Sequence, residues 1–255
     1  MLHELEVARG LARRGGAILL DHYGRAANVQ YKEGGSPVTT ADHAVNDFLI
    51  RELRSLFPRD AILSEEQARD FTSARRIWIL DPMDGTREFI DRNGEFSVMI
   101  GLAVDGRPVV GAVYQPTVDK LYSAARGTGA LLEQHGAATP LTVSPETDPA
   151  RMSVAASRSH QSPDVEAVCN RIGVRHSIPS GSIGIKVGLI CERRVHLYMH
   201  LRSHVCQWDT CAADIILSEA GGQMTDKLGR PIPYGVSEAR LLNGVIASRR
   251  ASLTP

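Results

Sequence analysis

Two apolar runs, Phe96 to Val104 and Pro108 to Tyr114, are separated by little more than Asp105-Gly106. An Asp-Gly pair between such runs predicts a β-hairpin, which commits this part of the chain to antiparallel sheet. Two shorter stretches, Ala61-Ile62-Leu63 and Ile77-Trp78-Ile79-Leu80, read as buried strands. Each runs straight into acids: Glu65-Glu66 follow the first, and Asp81 follows the second.

Helical patterns precede these strands. Met1 to Leu20 sets Leu2, Leu5, Leu11, Ile18 and Leu19 among Glu and Arg residues, the pattern of an amphipathic helix rather than of an export signal. A Gly/Ser/Pro stretch, Glu33 to Pro37, leads into Asp42 and a stripe of Val45, Leu49, Leu53 and Leu56 that Pro58 ends. Asp42 is therefore expected near a helix N-terminus. Glu133 to Ala150, rich in Pro, Thr, Ala and Gly, has weak periodicity and marks a division near residue 145. Residues 1–145 are read as an α+β lobe with most of the candidate metal ligands. Residues 146–255 are read as an α/β lobe with Asp209 and the substrate contacts. In this second part Met152 to Ala156 reads as a strand and Asp164 to Ile172 as a helix. Ile185 to Ile190 reads as a buried segment opened by Ser180-Gly181-Ser182. A further helix starts at Trp208-Asp209 and stops at Gly221-Gly222, which puts Asp209 at a helix start as well.

Charge excludes some partners. Twenty-nine basic residues balance 29 acidic ones, so no overall positive field gathers nucleic acid or an anionic membrane. No apolar run approaches the roughly 20 residues that cross a bilayer. The expectation is a cytoplasmic protein with no integral membrane segment. Cys169, Cys191, Cys206 and Cys211 are few and scattered, as reduced thiols would be. His200, His204, Cys206 and Cys211 raise a zinc site, but their spacing matches no common zinc module.

The chemistry centres on Asp81-Pro82-Met83-Asp84-Gly85-Thr86. A tight bend there sets two carboxylates three residues apart, and Gly85 can take positive φ to let the backbone approach a ligand. An isolated Asp-Gly is ordinarily only a turn. Here three separate acidic segments, Glu65-Glu66, Asp81 to Asp84 and Trp208-Asp209, share the same strand-end or helix-start setting. Oxygen ligands without interleaved Cys or His select a hard ion; magnesium fits better than zinc, and calcium is a substitute or an inhibitor.

The ordered set Asp42, Glu65-Glu66, Asp81 to Thr86, Trp208-Asp209-Thr210-Cys211-Ala212 and Gly221-Gly222 resembles the lithium-sensitive, magnesium-dependent phosphatases. That family includes inositol monophosphatase and the 3'(2'),5'-bisphosphate nucleotidases. The resemblance implies an α/β (α+β) fold, a two-lobed αβαβα layered sandwich, with a homodimer as an assembly. It implies that Glu65, Asp81, the Met83 carbonyl, Asp84 and Asp209 bind two or three magnesium ions, and that lithium inhibits. Asp42 would accept a hydrogen bond from Thr86, so that Thr86, with Glu65, orients or deprotonates a metal-activated water. Met83, Asp84, Gly85, Thr86, Ser182, Lys186 and Asp209 would contact the substrate. Lys186 would close a loop, Gly181 to Ile185, that faces the nucleotide and its second phosphate.

Arg87-Glu88-Phe89-Ile90, followed by Asn93-Gly94-Glu95-Phe96-Ser97, is most similar to CysQ-type nucleotidases of sulfur metabolism; inositol monophosphatases usually carry Asn-Phe in place of Glu88-Phe89. Ser157-Arg158-Ser159-His160 resembles a segment near the nucleotide in that group. These enzymes often have Tyr-X-Arg near the substrate, where this chain has Tyr198-Met199-His200. The expected reaction is hydrolysis of adenosine 3',5'-bisphosphate to AMP and phosphate. An inositol monophosphatase or broad sugar-phosphate phosphatase is the alternative, and a non-catalytic nucleotide sensor is the reading from another class.

Overall fold

In the computed structural model, which describes residues 1–25, 29–31, 37–70, 73–158 and 162–249, helices and strands interleave along the whole chain. The first part runs α1 (Leu2–His22), β1 (Val29–Tyr31), β2 (Pro37–Thr39), α2 (Thr40–Leu56), β3 (Ala61–Ser64), β4 (Arg76–Asp84) and α3 (Thr86–Ile90). A meander follows: β5 (Ser97–Val104), β6 (Arg107–Gln115), β7 (Lys120–Ala125), β8 (Ala130–Gln134) and β9 (Ala137–Leu141). The rest comprises β10 (Ser153–Ser157), α4 (Pro163–Ile172), β11 (His176–Ser180), α5 (Ile183–Cys191), β12 (Leu197–His200), α6 (Gln207–Glu219), β13 (Gly222–Thr225) and β14 (Val245–Arg249). Of the predicted Glu33 to Pro37 stretch, residues 33–36 lie outside the described residues, as do Ser159 and His160.

Strands β3 to β9 form one seven-stranded sheet in chain order, parallel at β3–β4 and antiparallel throughout the rest. The hairpin between β5 and β6 turns at Asp105 and Gly106, both with positive φ (50° and 75°), as a two-residue turn matched to strand twist requires. A five-stranded mixed sheet has the order β11-β10-β12-β14-β13.

Side-chain alternation explains how the layers stack. Trp78 and Leu80 of β4 pack with α1 and α2 on one face, while Ile77 and Ile79 pack with α5 and α6 on the other. A strand covered on both faces reads as an unbroken apolar run, which is how Ile77 to Leu80 appears in the sequence. The five-stranded sheet closes over α5 and α6 through Ala155, Tyr198, Val245 and Ala247, and α4 covers its outer face through Cys169. The architecture is an αβαβα sandwich.

Helix α6 lies against the bare backbone of the large sheet. Gly101 and Gly111 are register partners across β5 and β6. A Cβ on Gly101 would stand 2.7 Å from Cys211 Sγ, and one on Gly111 would stand 2.3 Å from the Ala212 carbonyl oxygen. No other residue type fits there without moving the helix.

Some sequence expectations change. Asp81 to Asp84 is not a bend after a strand: β4 continues through Asp84, and the turn starts at Gly85. Pairing with β5 keeps the segment extended, at Asp81↔Met99 and Asp84↔Ser97. Ile185 to Ile190 lies inside a helix, so Lys186 does not close a loop. Within the weakly patterned Glu133 to Ala150 stretch, Ala137–Leu141 is a strand with four of its five residues exposed. Among the described residues, no helix is long and apolar enough to cross a membrane.

Candidate active site

The Asp81 to Asp84 segment owes its geometry to one extra residue. Three steps separate these two aspartates on β4, while their partners Met99 and Ser97 are two steps apart on β5, so a bulge intervenes. Residues three apart on a regular strand point to opposite faces; the bulge returns both aspartates to the face that packs on α5 and α6. Pro82 lies inside the bulge, where a missing N–H breaks no ladder. Asp81 Oδ1 accepts the Met83 N–H at 3.0 Å and tightens the kink.

Two helix starts meet this strand end. At α5, Ser182 Oγ and the Gly184 N–H both donate to Asp84 Oδ2, at 2.5 and 2.8 Å. At α6, Asp209 is the third helical residue and accepts the Cys206 N–H at 2.5 Å in a capping box. The result is a cluster in which one carboxylate oxygen from each of Asp81, Asp84 and Asp209 lies within 4.8 Å of the others. Burial pushes the Asp84 carboxyl above the usual range. Burial, followed by the charges of Asp84 and Glu65, pushes Asp209 well above it. Acids raised by burial and by neighbouring carboxylates are poised for a cation that stabilises their charges together.

Glu65 opens a short 3-10 turn after β3, close enough for its charge to act on Asp209. Asp42, the third residue of α2, takes the Thr39 N–H and hydroxyl on Oδ2, both at 2.7 Å. Its Oδ1 accepts the Thr86 hydroxyl at 3.0 Å, and that hydroxyl is also 3.2 Å from the Met83 carbonyl oxygen. Burial raises the Asp42 carboxyl to about 6, against the lowering effect of its Thr39 and Thr86 hydrogen bonds. Gly85, between Asp84 and Thr86, has φ +99°, and a Cβ there would lie 2.9 Å from the Glu95 carbonyl oxygen. Its glycine identity is required by the fold as well as by any ligand.

The remaining expected residues lie deeper. The Ser182 hydroxyl, besides meeting Asp84, is 2.9 Å from Ser97 Oγ and caps the Ile185 N–H at 3.1 Å. Lys186 is 2% exposed; its ammonium donates to the Gly181 carbonyl and stands 5.3 Å from the centre of the Tyr198 ring. Glu88 and Phe89 are buried in α3. His200, half-buried at the end of β12, meets His204 edge to face at 6.3 Å. Among the described residues, the group of His, Cys, Asp and Glu side chains close enough to hold a metal is Asp81, Asp84 and Asp209, with no His or Cys in it. Beside the site, where the Glu95 carbonyl accepts the Ser182 N–H, is a clasp that sequence reasoning missed: Arg158 grips Glu95 with two bonds of 2.8 and 2.6 Å. Sixty-three positions separate the two residues, and no local pattern signals their pairing.

The sequence matches the model of the inositol monophosphatase family over residues 1–253. It is 35% identical over 239 residues to the 3'(2'),5'-bisphosphate nucleotidase CysQ of Escherichia coli O157:H7, covering 92% of this chain and 95% of that protein. It is 32% identical over 241 residues to the CysQ of Aggregatibacter actinomycetemcomitans, covering 93% and 89%. Among solved structures it is similar to CysQ from Bacteroides thetaiotaomicron, with a TM-score of 0.80, 27% identity and 97% of each chain covered. The Thermotoga maritima IMPase superposes with a TM-score of 0.82 at 27% identity, over 96% of this chain and 92% of that one. The layered sandwich, the carboxylate cluster and a match along almost the full sequence agree: the chain belongs to the inositol monophosphatase family.

Proposed function

We propose that this protein is a magnesium-dependent phosphatase that hydrolyses adenosine 3',5'-bisphosphate to AMP and phosphate. The carrying observation is the convergence of Asp81, Asp84 and Asp209 beside the Asp42–Thr86 hydrogen bond. The donor set fits magnesium, since it is all oxygen. Asp81, Asp84, Asp209, Glu65 and the Met83 carbonyl would hold the metal. Magnesium, when bound, supplies a Lewis acid for phosphate oxygens and makes water more acidic.

The protein's own groups do the rest. Thr86 commits its proton to Asp42, so the lone pairs of the same oxygen are free to accept a proton from water. Asp42, held at about 6 by burial, is a suitable final acceptor near neutral pH. Gly85 presents no side chain, and the Gly85 and Thr86 backbone N–H groups serve as the phosphate cradle. Ser182 keeps Asp84 oriented, and Lys186 lies beneath the site, where burial pulls its ammonium below the usual range against the opposing charges of Asp84 and Glu88. The choice of a bisphosphate nucleotide is supported by curated relatives that bear that activity in their names, and by Glu88-Phe89 after the Asp-Gly-Thr. Lithium, and calcium as a substitute, would inhibit.

Steady-state rates with magnesium on adenosine 3',5'-bisphosphate and on inositol 1-phosphate test the reading. A large preference for the nucleotide is expected. A preference for the inositol ester overturns the substrate, and no magnesium-dependent phosphate release from either ester overturns the activity.

A further inference from the structure

Gln207 is the first residue of α6, two positions before Asp209, and is 0% exposed. Its side chain is turned entirely toward one segment, residues 235–239. Nε2 donates to the Val236 and Glu238 carbonyls at 2.8 and 2.9 Å, and Oε1 accepts the Gly235 N–H at 2.7 Å. The Gln207 backbone N–H adds a fourth bond, to the Ala239 carbonyl at 2.9 Å.

That segment is anchored at both ends. The Gly235 carbonyl accepts the Ala74 N–H at 3.0 Å, just ahead of β4. Gly235 has φ +72°, and a Cβ there would meet the Ala74 carbonyl oxygen at 2.8 Å and Ile77 Cγ2 at 3.0 Å. At the other end, the Leu241 N–H bonds the Val205 carbonyl at 2.8 Å, just ahead of α6. The segment therefore joins the strand that carries Asp81 and Asp84 to the helix that carries Asp209.

We propose that Gln207 is a positioning residue: its carboxamide ties the first turn of α6 to the 235–239 segment and so holds Asp209 opposite Asp81 and Asp84. This rests on the reading of those three carboxylates as the magnesium site. Two carbonyls and one N–H around a buried side chain require an NH₂ and an oxygen together, which only an amide supplies here. The rest of α6 is held independently, on Gly101 and Gly111 and at its far end, where Glu219 accepts the Gly127 and Gly129 N–H groups at 2.9 and 2.8 Å. Loss of Gln207 thus loosens the turn that bears Asp209 and leaves the helix in place.

The test uses the full chain, with magnesium alone as the ligand. Gln207→Met keeps the volume and loses all three side-chain bonds; Gln207→Asn keeps the amide on a shorter arm. Tyr122→Phe is the control, since it removes a bond to Glu192 and touches none of these groups. The readouts are the magnesium-induced rise in Tm without substrate and the magnesium concentration that gives half-maximal rate. For Gln207→Met both should move to about tenfold higher magnesium, the range for losing a group that supports a metal ligand, with a smaller move for Gln207→Asn. Tyr122→Phe should lower Tm and keep the wild-type magnesium dependence. If Gln207→Met and Gln207→Asn lower Tm but keep that dependence, the side chain is merely structural and the inference fails. If wild type itself shows no magnesium response in either readout, the metal-site reading fails and the inference falls with it.

Discussion

The two halves of the carboxylate cluster reach the same point by different means. Asp81 and Asp84 arrive together on one strand, and their relation is fixed by a bulge, a proline, an Asx-type bond and pairing with the adjacent strand β5. Asp209 arrives more than a hundred positions later on a helix, and its relation to them is fixed by packing against Gly101 and Gly111 and by the ends of that helix. A ligand pair set by the ladder of two adjacent strands survives loosening of the helices packed on it. A ligand set by tertiary contact lasts only as long as its seat.

The largest effects should come from the acids themselves. Asp84→Asn and Asp209→Asn should each lower the magnesium-dependent rate by more than about 100-fold, the upper figure for losing only a group that supports a ligand. Both should raise the Tm of magnesium-free protein, because each removes a carboxylate whose ionisation burial opposes. Thermal melts with and without chelator check this; a lower metal-free Tm would mean that these acids hold the fold together.

Gly111→Ala separates the two halves. The added methyl meets a backbone oxygen that cannot swing aside, so the change should cost about 1–3 kcal/mol in stability, measured by urea unfolding. Half-saturation by magnesium should rise with it, because Asp209 moves and Asp81 and Asp84 do not. An unchanged magnesium dependence would show that α6 has slack the contacts do not reveal.

The effect that should reach the carboxylate cluster least concerns pH. Asp214, in the middle of α6, accepts the Tyr234 hydroxyl at 2.9 Å, and burial raises its carboxyl from 3.8 to about 7. A carboxyl raised on folding stabilises the fold fully below its unfolded pKa and loses that contribution as pH climbs through its folded pKa. The stability of wild type relative to Asp214→Asn should therefore decline between about pH 4 and 7 and level off above. Magnesium dependence should be the same in both proteins. Parallel pH profiles would mean that Asp214 ionises as freely in the fold as out of it.

What the sequence made legible cuts across this division. The β5–β6 hairpin, the two-faced strand Ile77 to Leu80 and the helix after Trp208-Asp209 all carry their causes within a dozen residues. The bulge does not: Pro82 and Gly85 both read as turn residues, and the partner strand at Ser97 to Met99 is what keeps Asp81 to Asp84 extended. Helix α5 is apolar nearly all round because it lies between two sheets, so it offers no polar face from which a helical period could be read. For the same reason the inward direction of Lys186 is invisible until the five-stranded sheet is in place. The solvent-facing edge strand Ala137–Leu141 shows no alternation, since it has almost nothing to bury.

The pair Gly101 and Gly111 has one more bearing on how such a site persists. Where a helix rests on bare main chain, its height above the sheet equals the thickness of peptide groups, a dimension that does not vary with sequence. The gap across the cluster is gauged by the one component of a protein that mutation cannot resize.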